Sequence, residues 1–168
     1  MTIAYKKIKN FLIKAAIPAL IFTFAGCSFE DLADYSTPRK SYESYVRHAK
    51  TLRIVADHRN YRRAIRCFRD EDRDWFEKNF RLLKELPEFE LEEDIYRHLY
   101  LTKRKAYIFG RALVPAGPPL DADYEVEEIS ENEAIVKIDG YEEPVKMIRS
   151  SDRWQIKGLF GLKEKVSE

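Results

Sequence analysis

Three histidines, two cysteines and a run of arginines are the side chains in this chain best placed to do more than pack. His48, His58 and His98 are scattered, and His58 directly follows Asp57. Adjacent helix residues do not face one another, so Asp57 and His58 form no dyad by spacing. A general base needs reach to a substrate and a tuned pKa, and nothing around these histidines supplies either; rim or solvent-facing positions are the simpler expectation. No His or Cys pair stands at metal-ligand spacing, and no Gly-rich phosphate loop occurs. Cys67 has Arg66 and Arg69 nearby to depress a thiol pKa, yet a Cys beside an apolar helical stripe is more often a small core residue. The arginines carry the clearest pattern. Residues 40–69 hold nine Lys or Arg against only Glu43 and Asp57. Residues 85–94 hold six acids and no base, and residues 121–133 hold seven acids and no base. Basic helices thus stand against an acidic loop and strand edge.

Cys27 follows a segment of a different kind. Lys6, Lys7, Lys9 and Lys14 open the chain without an acid, an apolar run from Ala15 to Phe24 follows, and Ala25-Gly26 precede Cys27. Basic, apolar and small-residue parts in that order make a secretory signal. With roughly fifteen mostly apolar residues from Phe11 to Ala25, broken by Lys14 and Pro18, the run is too short to span a bilayer. With Cys directly after the small pair, the segment resembles the signal of a bacterial lipoprotein. That resemblance implies a diacylglycerylated Cys27 thiol, cleavage before Cys27 and acylation of the new amino terminus. Ser28, rather than Asp, would then favour the outer membrane. The expected organisation is a signal peptide over 1–26, a lipidated Cys and tether over 27–39, and one domain over 40–168. Removing the signal leaves twenty-six basic against twenty-nine acidic side chains, a formal charge of −3. With Cys27 acylated, Cys67 has no disulfide partner, so the fold must rest on its apolar core.

Periodicity orders the rest. Tyr42, Tyr45, Val46, Ala49, Leu52 and Ala56 fall at three- and four-residue steps and predict a helix from about Ser41 to Asp57. Tyr61, Ala64, Ile65 and Phe68 repeat the stripe over two turns. Acids from Asp70 to Asp74 suit a helix amino end, and Trp75 to Leu86 continue it to Pro87. Residues 91–104 read as a helix more than as a strand. Ala106 to Val114 reads as a strand, followed by a rigid Pro-rich loop. Tyr124 to Ile129, Ala134 to Ile138, Val145 to Arg149 and Arg153 to Phe160 read as an antiparallel meander, with Asp139-Gly140 as a hairpin turn. Helices first and strands after predict an α+β fold with helices on one face of the sheet.

This order, with Tyr42, Tyr45, Tyr61, Phe68 and the closing strands Val145 to Ile148 and Arg153 to Ile156, resembles the small membrane-tethered domains of the nuclear transport factor 2-like (cystatin-like) superfamily. The resemblance implies a curved sheet wrapped around a long helix as a cone. Fold does not select a function among such domains. The expectation is an exported envelope lipoprotein, not an enzyme, that binds an envelope protein or a small apolar ligand. It is expected to need no cofactor or metal and to meet no nucleic acid. Arg59, Arg62, Arg63, Arg66 and Arg69 are the expected contacts with anionic head groups, each charge worth about 1 kcal/mol near the surface. The alternatives are an isomerase or dehydratase, with His58 or Asp57 as base and Tyr61 as hydrogen-bond donor, and a purely structural spacer.

Overall fold

The computed structural model describes residues 33–86, 89 and 93–166. The signal segment, Cys27 and Leu91 lie outside them. The first helix, α1, spans Pro38–Leu52, earlier than the stripe alone suggested. Thr37 caps it, its hydroxyl accepting from the Lys40 N–H, and Pro38 fills the first turn, where its missing N–H costs nothing. Tyr42, Tyr45, Ala49 and Leu52 are buried as the stripe requires. Of the stretch expected to be tether, Asp34 to Thr37 is held against the domain. The Asp34 N–H donates to Ser44 Oγ, and the Tyr35 carbonyl accepts from the Trp154 N–H.

Helix α2, His58–Ile65, starts on Asp57, whose carboxylate accepts from the Arg59 and Asn60 N–H groups. Helix α3, Asp70–Asn79, places Asp70, Glu71 and Asp72 in its first turn, where the helix dipole favours them. A 3₁₀ turn, Leu82–Glu85, follows, then the short helix α4, Glu93–Arg97. Helix α5 begins at Leu101–Ile108, widens into a π segment at Phe109–Leu113 and closes with Val114–Ala116.

The strand expected over 106–114 is therefore a helix. Ala106, Tyr107, Ile108, Phe109, Gly110, Ala112, Leu113 and Val114 are all buried. A run buried nearly all round has no period to read, so apolar pattern alone does not separate strand from helix there.

Strands β1 (Tyr124–Ser130), β2 (Glu133–Ile138), β3 (Tyr141–Ser150) and β4 (Arg153–Ile156) form an open antiparallel sheet in the order β1-β2-β3-β4. The Asp139-Gly140 turn falls where expected, with Ile138 paired to Tyr141 and Gly140 at φ 75°. A register irregularity between Val136 and Ile138 lets Val136 pair Val145 and leaves Pro144, which has no N–H for the ladder, beside the shift. Ala134, Val136, Ile138, Val145, Met147 and Ile156 are buried. Helix α1 packs against β1, β2 and β4. The outer side of β4 is covered, since the Ile156 N–H donates to the Cys67 carbonyl and the Arg69 N–H to the Ile156 carbonyl. A short helix, α6 (Leu162–Lys165), follows the sheet.

The core is aromatic. Phe109 meets Tyr61, Phe68 and Phe76 edge-on at ring separations of 5.6, 6.1 and 5.5 Å. Such pairs add about 0.5–1.5 kcal/mol each beyond the area they bury. They lock α2, α3 and α5 around one centre, and the walls of the cleft described next come from those helices.

Candidate functional site: a basic cleft beside α5

Helix α2 and its C-cap Arg66 place His58, Arg62, Ile65 and Arg66 at steps of three and four, so these side chains share one face. That face, with Arg73 of α3, Lys105 of α5 and Arg153 of β4, lines an open cleft of about 700 Å³. Five Lys or Arg and one His thus converge on a space whose only acid is Glu77. Glu77 bridges two neighbours: the buried Tyr61 hydroxyl donates to one carboxylate oxygen and the Lys105 ammonium to the other. Burial, then the hydrogen bond to Glu77, pushes the Tyr61 hydroxyl pKa well up, so it stays a donor. Arg73 pairs with Asp70 at 3.0 Å. Arg62, Arg66 and Arg153 meet no carboxylate among the described residues. Three guanidinium groups with no counter-charge among the described residues, Arg153 lying over the Tyr35 ring at 5.8 Å, border a space large enough for a small ligand and suit a phosphate or carboxylate, which a guanidinium fork can hold through two parallel hydrogen bonds.

Of the five arginines expected at an anionic surface, only Arg62 and Arg66 line this cleft. Arg59 is exposed outside it. Arg63 is half-buried, its carbonyl accepting from the Tyr35 hydroxyl at 3.4 Å. Arg69 is engaged with Asp72 at 3.1 Å and Glu71 at 3.3 Å. The spacing His58, Arg62, Arg66 was readable on one helical face. Arg73, Lys105 and Arg153 come from three distant elements, and no local pattern ties them to it.

The candidates for catalysis separate. His48 is buried on α1, its Nδ1 2.7 Å from Asn60 Oδ1, and His98 is exposed after α4. His58 and Tyr61 share the cleft, their rings 6.5 Å apart. Asp57 is occupied as the α2 cap: burial raises its pKa, but hydrogen bonds from Asn60 and Arg59 outweigh this and hold it below the usual carboxylate range. That is the wrong direction for a base at neutral pH. Among the described residues, no group of three or more His, Cys, Asp or Glu gathers as a metal site, and no helix is long and apolar enough to cross a membrane.

Cys67 is fully buried beside Phe68, its thiol 3.5 Å from the Arg63 carbonyl, and burial pushes its pKa well up. Desolvation of the thiolate overrides the neighbouring arginines. Native protein is therefore expected to react with a thiol-specific disulfide reagent at Cys67 at least a hundredfold more slowly than urea-unfolded protein. Equal rates would show the thiol to be accessible.

The described residues thus form an α+β domain, helices against an open four-stranded antiparallel sheet. Comparison with protein-family models, with curated proteins and with solved structures finds no match for the chain.

Proposed function

We propose that this chain is an exported envelope protein, anchored through an acylated Cys27, whose domain is a non-catalytic module binding an anionic group in the cleft beside α5. The observation that carries the binding half is the convergence of Arg62, Arg66 and Arg153, with Arg73 and Lys105, on one cleft holding a single acid. The anchoring half rests on the segment before Cys27. The outer membrane remains the proposed destination, from Ser28. A nuclear transport factor 2-like relationship belongs to the same proposal, supported by a long first helix laid against the sheet. A polar, open cleft favours an anionic ligand over the small apolar one that a closed cone would take.

The test is calorimetric titration of the chain from Ser28 to Glu168 with inorganic pyrophosphate as an anionic probe. Binding is expected, and charge reversal at Arg62→Glu and Arg66→Glu together should weaken it at least tenfold. No heat of binding to the parent protein, or equal affinity in the double variant, would remove the cleft from consideration. A catalytic alternative has one observation in its favour, the meeting of His58 and Tyr61 in the same cleft. It requires that His58→Ala abolish turnover of a ligand whose binding it spares.

A further inference from the structure

The opposite flank of α5 poses a separate problem. Ile54 and Val55, consecutive in the turn after α1, are 79% and 57% exposed, and Ile95 on α4 is 57% exposed. Together with Leu99 they line a groove of about 370 Å³. Arg53, Lys103 and Arg111 stand on the same groove. Two β-branched aliphatic residues have no local reason to occupy a turn, where Gly, Asn, Asp and Ser serve the backbone better. The turn is nevertheless well made. The Ile54 and Val55 N–H groups both donate to the Thr51 carbonyl, at 3.0 and 2.9 Å, and the Asp57 N–H donates to the Val55 carbonyl at 2.8 Å. The apolar pair is thus presented on hydrogen-bonded backbone with cations beside it. An apolar tip with a basic rim matches the two layers of an anionic bilayer surface, acyl chains below and phosphate head groups above.

We infer that the Ile54–Val55 turn is a membrane-docking tip, entering the interface of an anionic bilayer while Arg53 and Lys103 contact the head groups. A second copy of the chain fits less well. Across a two-fold axis the same cations would face each other. The apolar residues are also most exposed at the protruding turn, not on a flat face. The inference concerns a different surface from the basic cleft and stands without it. It also stands without the acyl group on Cys27.

The experiment uses Ser28–Glu168, since every core side chain among the described residues lies between Tyr35 and Val166. Vesicles of phosphatidylglycerol mixed with phosphatidylcholine are expected to co-sediment the protein at least tenfold more strongly than pure phosphatidylcholine. Ile54→Asp with Val55→Asp should lower the anionic partition at least tenfold. Arg53→Glu with Lys103→Glu should do the same, because each cation near such a surface contributes about fivefold. Both pairs are expected to keep the parent circular dichroism and pyrophosphate affinity. An Ile54→Trp variant should blue-shift on anionic vesicles and be quenched by lipid brominated on its acyl chains, beyond the background of Trp75 and Trp154. Unchanged sedimentation of the Ile54→Asp, Val55→Asp protein, or no quenching of Ile54→Trp, overturns the inference. So does light scattering that shows a dimer dissociated by Ile54→Asp, Val55→Asp in a protein that ignores vesicles.

Discussion

Replacing Asp72 by Ala is expected to lower stability by about 3–5 kcal/mol, the cost of removing one partner from a buried ion pair. Asp72 is fully buried on α3. One oxygen accepts from Lys163 Nζ at 2.5 Å, and the other accepts from Arg69 Nε at 3.1 Å and the Gly158 N–H at 2.8 Å. Its loss takes one acceptor from two half-buried cations and from a backbone donor, while Arg69 keeps Glu71 and Lys163 keeps the Trp75 ring. The same contacts pin the segment after β4 to α3, since Gly158 sits in that turn and Lys163 on α6. The effect should read as a fall of about 6–20 °C in thermal midpoint, using about 2–4 °C per kcal/mol for a chain of this size. Asp72→Asn should cost less, because an amide oxygen can still serve Gly158. A change under about 1 kcal/mol in Asp72→Ala would show that the network contributes little net stability.

The pH dependence follows in sign. Burial raises the Asp72 pKa, but the hydrogen bonds from Lys163, Arg69 and Gly158 outweigh it, and the folded value lies below the ordinary one. Stability from this group is therefore fully present above the unfolded carboxylate pKa, about 3.9. It is lost as pH falls through the lower folded value. Urea midpoints measured from pH 7 down to pH 3 should show a smaller acid loss in Asp72→Ala than in the parent protein.

The elements that face water on one side were legible. Tyr42, Tyr45, Ala49 and Leu52 repeat with the helical period because the other face of α1 is solvated. Asp139-Gly140 marks its hairpin because the turn needs a positive φ that Gly140 supplies at no steric cost. Helix α5 was not legible, because water touches too little of it to impose a period, and β-branched and aromatic residues at its centre mimic a strand. The cleft was half legible. His58, Arg62 and Arg66 share a helical face by spacing, whereas the other cations arrive through tertiary packing. A mature side-chain charge of −3 asks for no polyanionic partner overall, whereas the local convergence of cations on α2, not the total, sets the field in the cleft.

Gly110→Ala should be nearly as damaging as the loss of Asp72, against the usual trend. In a helix interior an added methyl stabilises by about 0.5–1 kcal/mol relative to Gly. Here a Cβ on Gly110 would lie 2.3 Å from the Leu52 carbonyl oxygen and 3.0 Å from its carbon. Both are backbone atoms at the end of α1, so no rotamer change relieves the clash and one helix must move. Overpacking of this kind costs about 1–3 kcal/mol, occasionally more. With α1 carrying Tyr42 and Tyr45 into the sheet and α5 carrying Phe109 into the aromatic cluster, displacement spreads to both. The net expectation is a loss of about 2 kcal/mol or more in urea unfolding. Displacing the end of α1 also displaces the Ile54–Val55 turn that follows it, so vesicle partition should weaken alongside stability. Gly140→Ala is the matched control, because open space surrounds its Cβ position and only the positive φ of 75° opposes the change. It should cost about 1 kcal/mol, in line with the penalty for an L-residue in the left-handed region, and leave partition unchanged. If Gly110→Ala were neutral, α1 and α5 would have to be loosely packed at their crossing, contrary to the burial of Leu52, Phe109 and Leu113 on every side of it.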